Sequence, residues 1–153
     1  MNINKINDIE VNDFIDLSPL GTIEVTIKKN VSREVLENVC VTALEGGSNY
    51  WYYLSEGAIR IIRNAVPKSE EPYLANAILK AVLDHNAKVP ISDAEDEDEV
   101  LGYLSNETLQ ERIQKLANSD DIWALENEIN NSGDASSSDV VFQYMVMGEV
   151  VFG

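Results

Sequence analysis

The sequence SREVLENVCVTALEGGSNYW, residues 32–51, contains the start, the apolar face and the end of one helix. Ser32 stands before the apolar pattern and is a favoured N-cap residue, because its hydroxyl accepts an N–H group of the first turn. Gly46 and Gly47 follow the pattern, and glycine often ends a helix because it adopts the left-handed conformation without strain. Between these limits apolar residues recur at helical spacing, at Val35, Leu36, Val39, Cys40, Ala43 and Leu44. We therefore predict a helix between Ser32 and Gly46 with one buried face.

The rest of the chain predicts an α+β fold, helix-rich, with a small sheet that is antiparallel or mixed. Residues 22–29 alternate apolar and polar side chains, with Ile23, Val25 and Ile27 on one face, which is typical of a half-buried strand. Short strands are also predicted at residues 87–91, 100–104 and 149–152, and an extended segment or turn at residues 48–54. Further helices are predicted at about residues 55–64, from residues 70–72 onward, and at about residues 106–117, 121–130 and 138–147.

Length and apolar content indicate one folded domain. A chain of 153 residues has the size of a single domain and is long enough to bury a core. We divide it into an N-terminal arm, residues 1–21, and one α+β domain, residues 22–153, with an acidic loop at residues 92–99. The sequence lacks a stretch apolar enough for a transmembrane helix and lacks the pattern of a signal peptide. With a single cysteine, which fits a reducing compartment, we expect a cytoplasmic protein.

The excess of acidic residues is concentrated in the second part of the chain. Residues 89–153 contain 15 Asp and Glu against 2 Lys and Arg, and residues 1–88 contain 12 against 9, so the net charges of -13 and -3 add to -16. Proteins bind phosphates largely through Lys and Arg, so this balance argues against direct binding to nucleic acid or to an anionic membrane. It favours a basic partner, including a protein that itself binds nucleic acid.

No set of residues in the sequence indicates a reaction. His85 and Cys40 are the sole histidine and cysteine, their spacing does not indicate a catalytic pair, and one of each is too few for the usual zinc sites. Cys40 lies on the apolar face of the first predicted helix, which favours a place in the core. We expect a protein that is not an enzyme, with no catalytic residues, no metal site and no cofactor.

Two segments distant in sequence are each rich in glycine, aromatic and amide side chains, and we expect them to meet in space. The first is the turn at residues 46–51, although a helix end followed by core aromatics explains the same pattern. The second surrounds Gln143 and Tyr144. Their meeting places Gln143 and Tyr144 opposite Asn49, Tyr50 and Trp51, as either a structural lock or a ligand pocket.

Two arginines are the best candidates for an anion site. Arg60 and Arg63 are three residues apart on one predicted helix face, shortly after Ser55, and a helix N-terminus also attracts anions. Surface pairing of these arginines with Glu56 or with the acidic part of the chain is the simpler interpretation.

The acidic run at residues 93–99 has six acids in seven residues. A solvated loop is the simplest interpretation of such a run. A calcium-binding loop fits poorly, because Asp96, Asp98 and Gly102 do not match the spacing of an EF-hand. The third interpretation is an acidic face that binds a basic groove, formed by Asp93, Glu95, Asp96, Glu97, Asp98, Glu99, Asp120 and Asp121. Solubility alone would also tolerate such a charge bias.

Two motifs of the chain resemble a known family. VTALEGGSNYW, residues 41–51, and DVVFQYMVMGEVVFG, residues 139–153, resemble a turn and a C-terminus found in small uncharacterised proteins of phages, prophages and mobile elements, often of gut bacteria. The resemblance covers about 26 residues. Small acidic accessory proteins of phages often inhibit host nucleases or defence systems, so by analogy of context the resemblance implies an anti-defence role.

We therefore expect a non-enzymatic phage or mobile-element accessory protein that acts in the host cytoplasm. Its acidic face would bind and inhibit a basic host protein, such as a nuclease or another nucleic-acid-binding or defence protein. The alternative is a small-molecule binder that holds a nucleotide-like ligand with the turn at residues 46–51 and with Arg60 and Arg63. Steep salt dependence of partner binding would favour the first hypothesis, and a ligand-induced rise in melting temperature the second.

Overall fold

The computed structural model describes residues 9–10 and 21–153, and the chain divides into two compact units, Met1–Asn30 and Val31–Gly153. Most of the predicted N-terminal arm lies outside the described residues, and its predicted end at residue 21 lies within the first unit. In this unit β1 (Ile9–Glu10) pairs antiparallel with β2 (Glu24–Val25). Both residues of β2 are exposed, so the prediction of a half-buried strand over residues 22–29 is wrong. A ladder of two residue pairs has too little apolar surface to define a buried face.

The second unit begins with helix α1 (Arg33–Thr42), which continues into a π-helical turn (Ala43–Gly47). The Ser32 hydroxyl accepts a hydrogen bond from the N–H of Val35, so it caps α1 as predicted. The two glycines do end the helix, but a turn of wider geometry, rare in proteins, comes first. This turn leads the chain directly to Ser48, which is fully buried.

A short strand, β3 (Tyr52–Tyr53), precedes two packed helices, α2 (Glu56–Ala65) and α3 (Leu74–His85). The Ser55 hydroxyl caps α2 by accepting from the N–H of Ala58. The helix predicted at about residues 55–64 is therefore confirmed within one residue.

The loop between α2 and α3 is held by Arg63. Its guanidinium donates to the backbone carbonyl oxygens of Glu71 at 2.5 Å and of Pro72 at 3.0 Å. These carbonyls therefore point to the arginine, and α3 begins only after Tyr73, its N-cap residue. The prediction that residues 70–72 start this helix is wrong for this reason.

Strands β3, β4 (Val89–Asp93) and β5 (Val100–Leu104) form an antiparallel sheet in the order β3-β4-β5. The strand predicted at residues 100–104 is confirmed, and the one predicted at residues 87–91 lies two residues further along the chain. The register between β4 and β5 shifts between Ile91 and Ser92.

Strand β5 approaches the last helix, α6 (Ala135–Met147), closely at Gly102. A Cβ atom at this position would lie 2.3 Å from the backbone carbonyl oxygen of Val146, which is far inside van der Waals contact. Because neither backbone atom is on a flexible side chain, only glycine fits here without movement of the strand or the helix.

Helices α4 (Asn106–Ala117) and α5 (Ile122–Ile129) pack against α6. Helix α6 begins three residues before the predicted start, because Asp134 and Ser137 form a reciprocal capping box at its N-terminus. The helix ends at Met147, as predicted, and Gly148 follows in the left-handed conformation with φ 78°.

The C-terminal end of α6 receives the Arg112 guanidinium from α4. Nη1 donates to the backbone carbonyl oxygens of Met145 and Tyr103, each at 3.0 Å, and of Val146. Carbonyls of the last helical turn lack partners within the helix, and a cation at this end also interacts favourably with the negative end of the helix dipole. Partial burial lowers the pKa of Arg112 from its usual value.

One core lies between the helices and the inner face of the sheet. Its fully buried members include Val39, Ile62, Ile78, Leu79, Ile91, Leu104, Leu116, Phe142 and Met145. The second unit is thus helix-rich with a small antiparallel sheet, and the predicted α+β class is confirmed.

Candidate functional site

A buried carboxylate, that of Asp139 on α6, joins the predicted turn to the C-terminal helix. The residue is 8% exposed and accepts hydrogen bonds from four neutral side chains. Its Oδ1 accepts from the Ser48 hydroxyl and from the Trp51 indole Nε1, each at 2.7 Å. Its Oδ2 accepts from the Tyr50 hydroxyl at 2.5 Å and from Gln143 Nε2 at 3.2 Å. A carboxylate has about four acceptor positions, so these donors saturate it.

Hydrogen bonds, and not a cation, compensate the buried charge of Asp139. Within the described part of the chain this carboxylate forms no ion pair. A buried charge is costly unless it is paired or hydrogen-bonded, so all four donors contribute to its stability in this place. Partial burial and the hydrogen bond to Asp139 raise the pKa of Tyr50 to about 12, so the phenol stays protonated and continues to donate.

Aromatic rings surround this carboxylate on the side of the core. The Trp51 ring, 1% exposed, stacks on Phe152 at 5.5 Å between centroids with an interplanar angle of 8°. Phe142 lies 5.6 Å from the same indole, and Tyr52 meets both rings edge-on at 6.0 Å. The indole thus joins the polar centre to the apolar core.

The side-chain amide of Gln143 connects the same centre to residues 149–153, which we name the tail segment. Its Oε1 accepts from the backbone N–H groups of Val151 and Phe152, each at 2.9 Å. Its Nε2 donates to the Phe152 carbonyl oxygen at 2.9 Å. The strand predicted at residues 149–152 is therefore absent from the described sheets, because this side chain takes the hydrogen bonds that a neighbouring strand would take.

The two predicted segments do meet, and their geometry is that of a structural lock. Gln143 reaches Tyr50 and Trp51 through their shared partner, Asp139. Trp51 and Gln143 are buried and do not line an open pocket, and Asn49 is exposed beside them. Tyr144 points elsewhere and donates to Asp121 Oδ2 at 3.0 Å.

The two predicted anion-binding arginines have different environments. Arg63 is half-buried, and its donors engage the loop carbonyls of Glu71 and Pro72. Arg60, three residues earlier on α2, is exposed. The structure therefore does not bring the two guanidinium groups together with the turn at residues 46–51 around one ligand.

Asp139 and Ser48 are central to the lock; Ser48 lies within the predicted turn at residues 46–51 without being singled out, and Asp139 is not among the predicted site residues. The signal that points to them is polarity within an apolar pattern: Asp139 and Gln143 stand four residues apart in the otherwise apolar run DVVFQYMVM. Polar side chains with this spacing share one helix face, and inside a core they need partners from another segment.

A second buried carboxylate repeats this arrangement. Glu128 on α5 is 9% exposed, and its Oε1 accepts from the hydroxyls of Ser137 and Ser138, each at 2.7 Å. Both donors are on the first turn of α6, where the positive end of the helix dipole favours a negative charge. Glu128 thus joins α5 to the start of α6 through hydroxyl donors, and no cation among the described residues pairs with it.

A cavity of about 220 Å³ lies beside the turn but not within the lock. Its lining residues are Leu44, Glu45, Tyr52, Leu54, Tyr73, Leu74 and Ala75. The residues predicted to hold a small ligand are not among them. Sites for drug-sized ligands are typically about 300–1,000 Å³, so this cavity is small for a nucleotide-like molecule.

The acidic loop lies at the tip of the β4–β5 hairpin, and residues 94–99 are all exposed. Ser92 and Asp93, predicted as loop, belong to β4, and Ser92 is almost fully buried. Two carboxylates shape the loop by accepting backbone N–H groups: Asp93 from Glu95 at 2.8 Å, and Asp96 from Asp98 at 3.1 Å. Residues 94–99 are thus an exposed loop, which both the solvated-loop and the acidic-face interpretations require.

The two remaining residues of the predicted acidic face lie before α5. Asp120 is exposed, whereas Asp121 is half-buried and accepts the hydrogen bond of Tyr144. The eight predicted residues are therefore divided between the hairpin and this turn.

Ion pairs of the described residues all lie between positions 33 and 84. Arg33 contacts Asp84 at 2.6 Å and Glu37 at 3.3 Å, and Lys80 contacts Glu71 at 3.4 Å. Across the described ranges, 9–10 and 21–153, no ion pair includes an acid from residue 93 onward. The negative charge of this part is not neutralised from within the described structure.

Three further findings on the described residues concern a thiol, metal ions and membranes. Cys40 is fully buried, and burial raises the pKa of its thiol to about 12, so it stays protonated at neutral pH. Among residues 9–10 and 21–153, no three His, Cys, Asp or Glu side chains are grouped so that they could hold a metal ion. No helix in the same ranges has both the length and the apolar character needed to cross a bilayer.

Comparison of the chain with protein-family models, with curated proteins and with solved structures finds no match.

Proposed function

We propose that this protein is a non-catalytic binding protein whose acidic hairpin, residues 93–99, binds a basic surface of a partner protein and blocks it. The observation that carries the proposal is the absence, within the described residues, of any ion pair for the acids from residue 93 onward. Like charges gathered on a surface repel one another, and a basic partner relieves that repulsion.

The scarce cations of this part of the chain are placed away from the hairpin. Arg112 and Lys115 are the two among residues 89–153, and Arg112 donates to carbonyls at the end of α6. Lys115 is exposed in the last turn of α4, and its ammonium lies close to Gly148 at the same end of α6. Neither cation forms an ion pair with a carboxylate of the hairpin in the described part of the chain.

The shape of the hairpin supports a role in binding. Asp93 and Asp96 accept backbone N–H groups of the loop, so the loop has a defined conformation. The remaining carboxylates, of Glu95, Glu97, Asp98 and Glu99, are exposed. A loop with fixed charges presents them to a partner at less conformational cost than a flexible tail does.

The buried polar groups support a binding role more than a catalytic one. Asp139 and Glu128 hold their positions through hydroxyl, indole and amide donors that serve the fold. A general base needs access to the proton that it removes. The resemblance to phage and mobile-element proteins supports a host protein as the partner, and a nuclease or a defence protein that binds nucleic acid has the basic surface required.

The experiment compares two full-length variants that lose the same charge. The hairpin variant carries E95Q, E97Q, D98N and E99Q, and the control variant carries E34Q, E45Q, E56Q and E70Q, all at exposed positions. Immobilised wild type and variants capture proteins from bacterial host lysate, elution follows a salt gradient, and affinity for the purified captured protein is then measured at two salt concentrations.

We expect the hairpin variant to lose at least about tenfold in affinity and the control variant about twofold or less, because only close charges survive screening by salt. Equal losses in both variants would show that net charge alone attracts the partner. Wild-type affinity that does not change with salt would contradict the proposal.

A further inference from the structure

We propose that Gln143 and Trp51, which are buried where the tail segment packs on them, form a binding site for an extended peptide segment with an aromatic residue. In this proposal the tail segment is the resident occupant, and a segment of a partner protein replaces it. We name this pair of side chains the tail site. The tail site shares no side chain with the acidic hairpin, although the Trp51 carbonyl oxygen accepts the N–H of Ala94 in the hairpin, and the inference does not depend on the proposed function.

The tail site binds main-chain atoms. Gln143 Oε1 accepts two consecutive backbone N–H groups, those of Val151 and Phe152, and Nε2 donates to the carbonyl oxygen of Phe152. All three distances are 2.9 Å. Main-chain hydrogen bonds of this kind give affinity for an extended segment of almost any sequence.

An aromatic ring supplies the specificity. Phe152 lies nearly parallel to the Trp51 indole, with an interplanar angle of 8° and 5.5 Å between centroids. The indole cannot turn away, because its Nε1 donates to Asp139 at 2.7 Å. The site therefore offers a fixed flat surface beside a fixed amide, and it selects segments that place a ring next to the bound peptide group.

The site is preorganised by the core. Gln143 is fully buried, and its Nε2 lies 3.2 Å from the Asp139 carboxylate, which orients the amide. Asp139 is itself fixed by the Ser48 hydroxyl and by the Trp51 indole. None of these contacts involves the tail segment, so the site keeps its shape when the tail leaves.

The tail segment is attached by few contacts. In the described chain, every hydrogen bond of residues 149–153 is made with the Gln143 side chain. Val150 and Val151 are 39% and 54% exposed. The three hydrogen bonds are part-buried and Phe152 packs on the core, so opening of this segment requires the release of this ring and these bonds.

A competing segment must overcome the attachment of the resident one. A short tether gives the tail an effective concentration of the order of millimolar, so a free peptide binds the wild type weakly. Phe152→Ala removes the resident ring and frees the face of Trp51, although the main-chain groups of the tail still compete for Gln143.

The experiment uses full-length protein and two fluorescein-labelled peptides, Gly-Glu-Val-Val-Phe-Gly and the matched control Gly-Glu-Val-Val-Ala-Gly, with fluorescence anisotropy as the readout. We expect the F152A variant to bind the phenylalanine peptide at least about tenfold more tightly than wild type does. The alanine peptide keeps the main-chain groups but lacks the ring, so it should bind F152A at least about tenfold more weakly than the phenylalanine peptide does, and adding Q143L to F152A should abolish binding of both. Failure of a folded F152A variant to distinguish the two peptides would overturn the proposal.

Hydrogen exchange in the unaltered protein gives a second test that does not depend on a variant. The backbone amides of Val151 and Phe152 should exchange at least about a hundredfold faster than the amide of Met145 in the core. Equal protection would overturn the proposal, because a tail that never opens cannot be replaced. A wild-type dimer in sedimentation that F152A abolishes would also overturn it, since the occupant would then be the tail of a second copy.

Discussion

The indole Nε1 of Trp51 donates to Asp139 Oδ1 across 2.7 Å, although 88 residues separate the two along the chain. This bond connects the turn after α1 to the middle of α6. Ser48, Tyr50 and Gln143 share the same acceptor, so four side chains depend on one carboxylate. The carboxylate is thus the common partner of the turn, of α6 and, through Gln143, of the tail segment.

Loss of this carboxylate should be among the most damaging single changes in the protein. Asp139→Ala leaves the buried Ser48 hydroxyl and Trp51 indole without acceptors, and we expect a loss of about 3 kcal/mol or more in the free energy of unfolding. Urea denaturation measures it. The control is Glu149→Ala at an exposed position, which should stay within about 0.5 kcal/mol of wild type.

The hydrogen bond from Tyr50 to Asp139 should make stability depend on alkaline pH. The pKa of Tyr50 is raised from 10.0 to about 12, so its contribution is complete below pH 10 and is lost as pH rises through about 12. Urea denaturation of wild type and Tyr50→Phe at several pH values isolates this residue. Their difference in free energy of unfolding should be constant up to about pH 10 and shrink above it. A constant difference up to pH 12 would contradict the assignment.

Two glycines provide a matched test of the approach of β5 to α6. Gly102→Ala forces the backbone away from Val146, and we expect a loss of about 1–3 kcal/mol. Gly57→Ala lies on α2, where the nearest atom to the new Cβ is Ser55 Oγ at 3.8 Å. Alanine favours a helix, so this second change should stabilise by up to about 1 kcal/mol. Melting temperatures that move in the same direction would contradict the close contact at Gly102.

The two arginines of α2 should differ in their effect on stability. Arg63→Ala removes donors to two loop carbonyls, and since hydrogen bonds from a charged group contribute about 1.5–3 kcal/mol, a loss in that range is expected. Arg60→Ala, at an exposed position on the same helix, should change the free energy of unfolding by less than about 0.5 kcal/mol. Thermal denaturation of the pair distinguishes a structural arginine from a surface one.

Repulsion within the acidic part of the chain should make stability rise with salt. We expect the melting temperature of wild type to increase between about 0.05 M and 0.5 M NaCl, because the Debye length falls over this range. The hairpin variant E95Q, E97Q, D98N and E99Q should show a smaller increase. A flat salt response of wild type would show that the exposed carboxylates are too far apart to repel each other measurably.

The sequence predicted the helices well because cap residues and apolar spacing depend only on residues that are near one another in the chain. Ser32 was predicted as a cap and a helix was predicted from about Ser55, and both hydroxyls accept N–H groups of the first turn. The start of α3 was wrong because Arg63, on the preceding helix, decides where the carbonyls of Glu71 and Pro72 point. A contact between separate segments overrode a local signal there.

The polar centre was predicted only in part. The meeting of the turn with the segment around Gln143 was expected, but its acceptor, Asp139, was overlooked among the 27 acids of the chain. The tail was expected as a strand because Val150, Val151 and Phe152 favour extended structure. Its backbone is indeed bound, but by a side chain, and a pattern of propensities carries no information about such a partner.

The long separation between Ser48 and Asp139 has a consequence for the rate of folding. Their hydrogen bond joins two residues that are 91 positions apart, so we expect its entropy cost to fall on a late folding step, after α2 to α5 have formed. Contacts absent from the folding transition state mainly control how fast the native protein unfolds. Asp139→Ala should therefore accelerate unfolding in stopped-flow experiments and leave refolding nearly unchanged, which makes this one carboxylate a determinant of the lifetime of the native state.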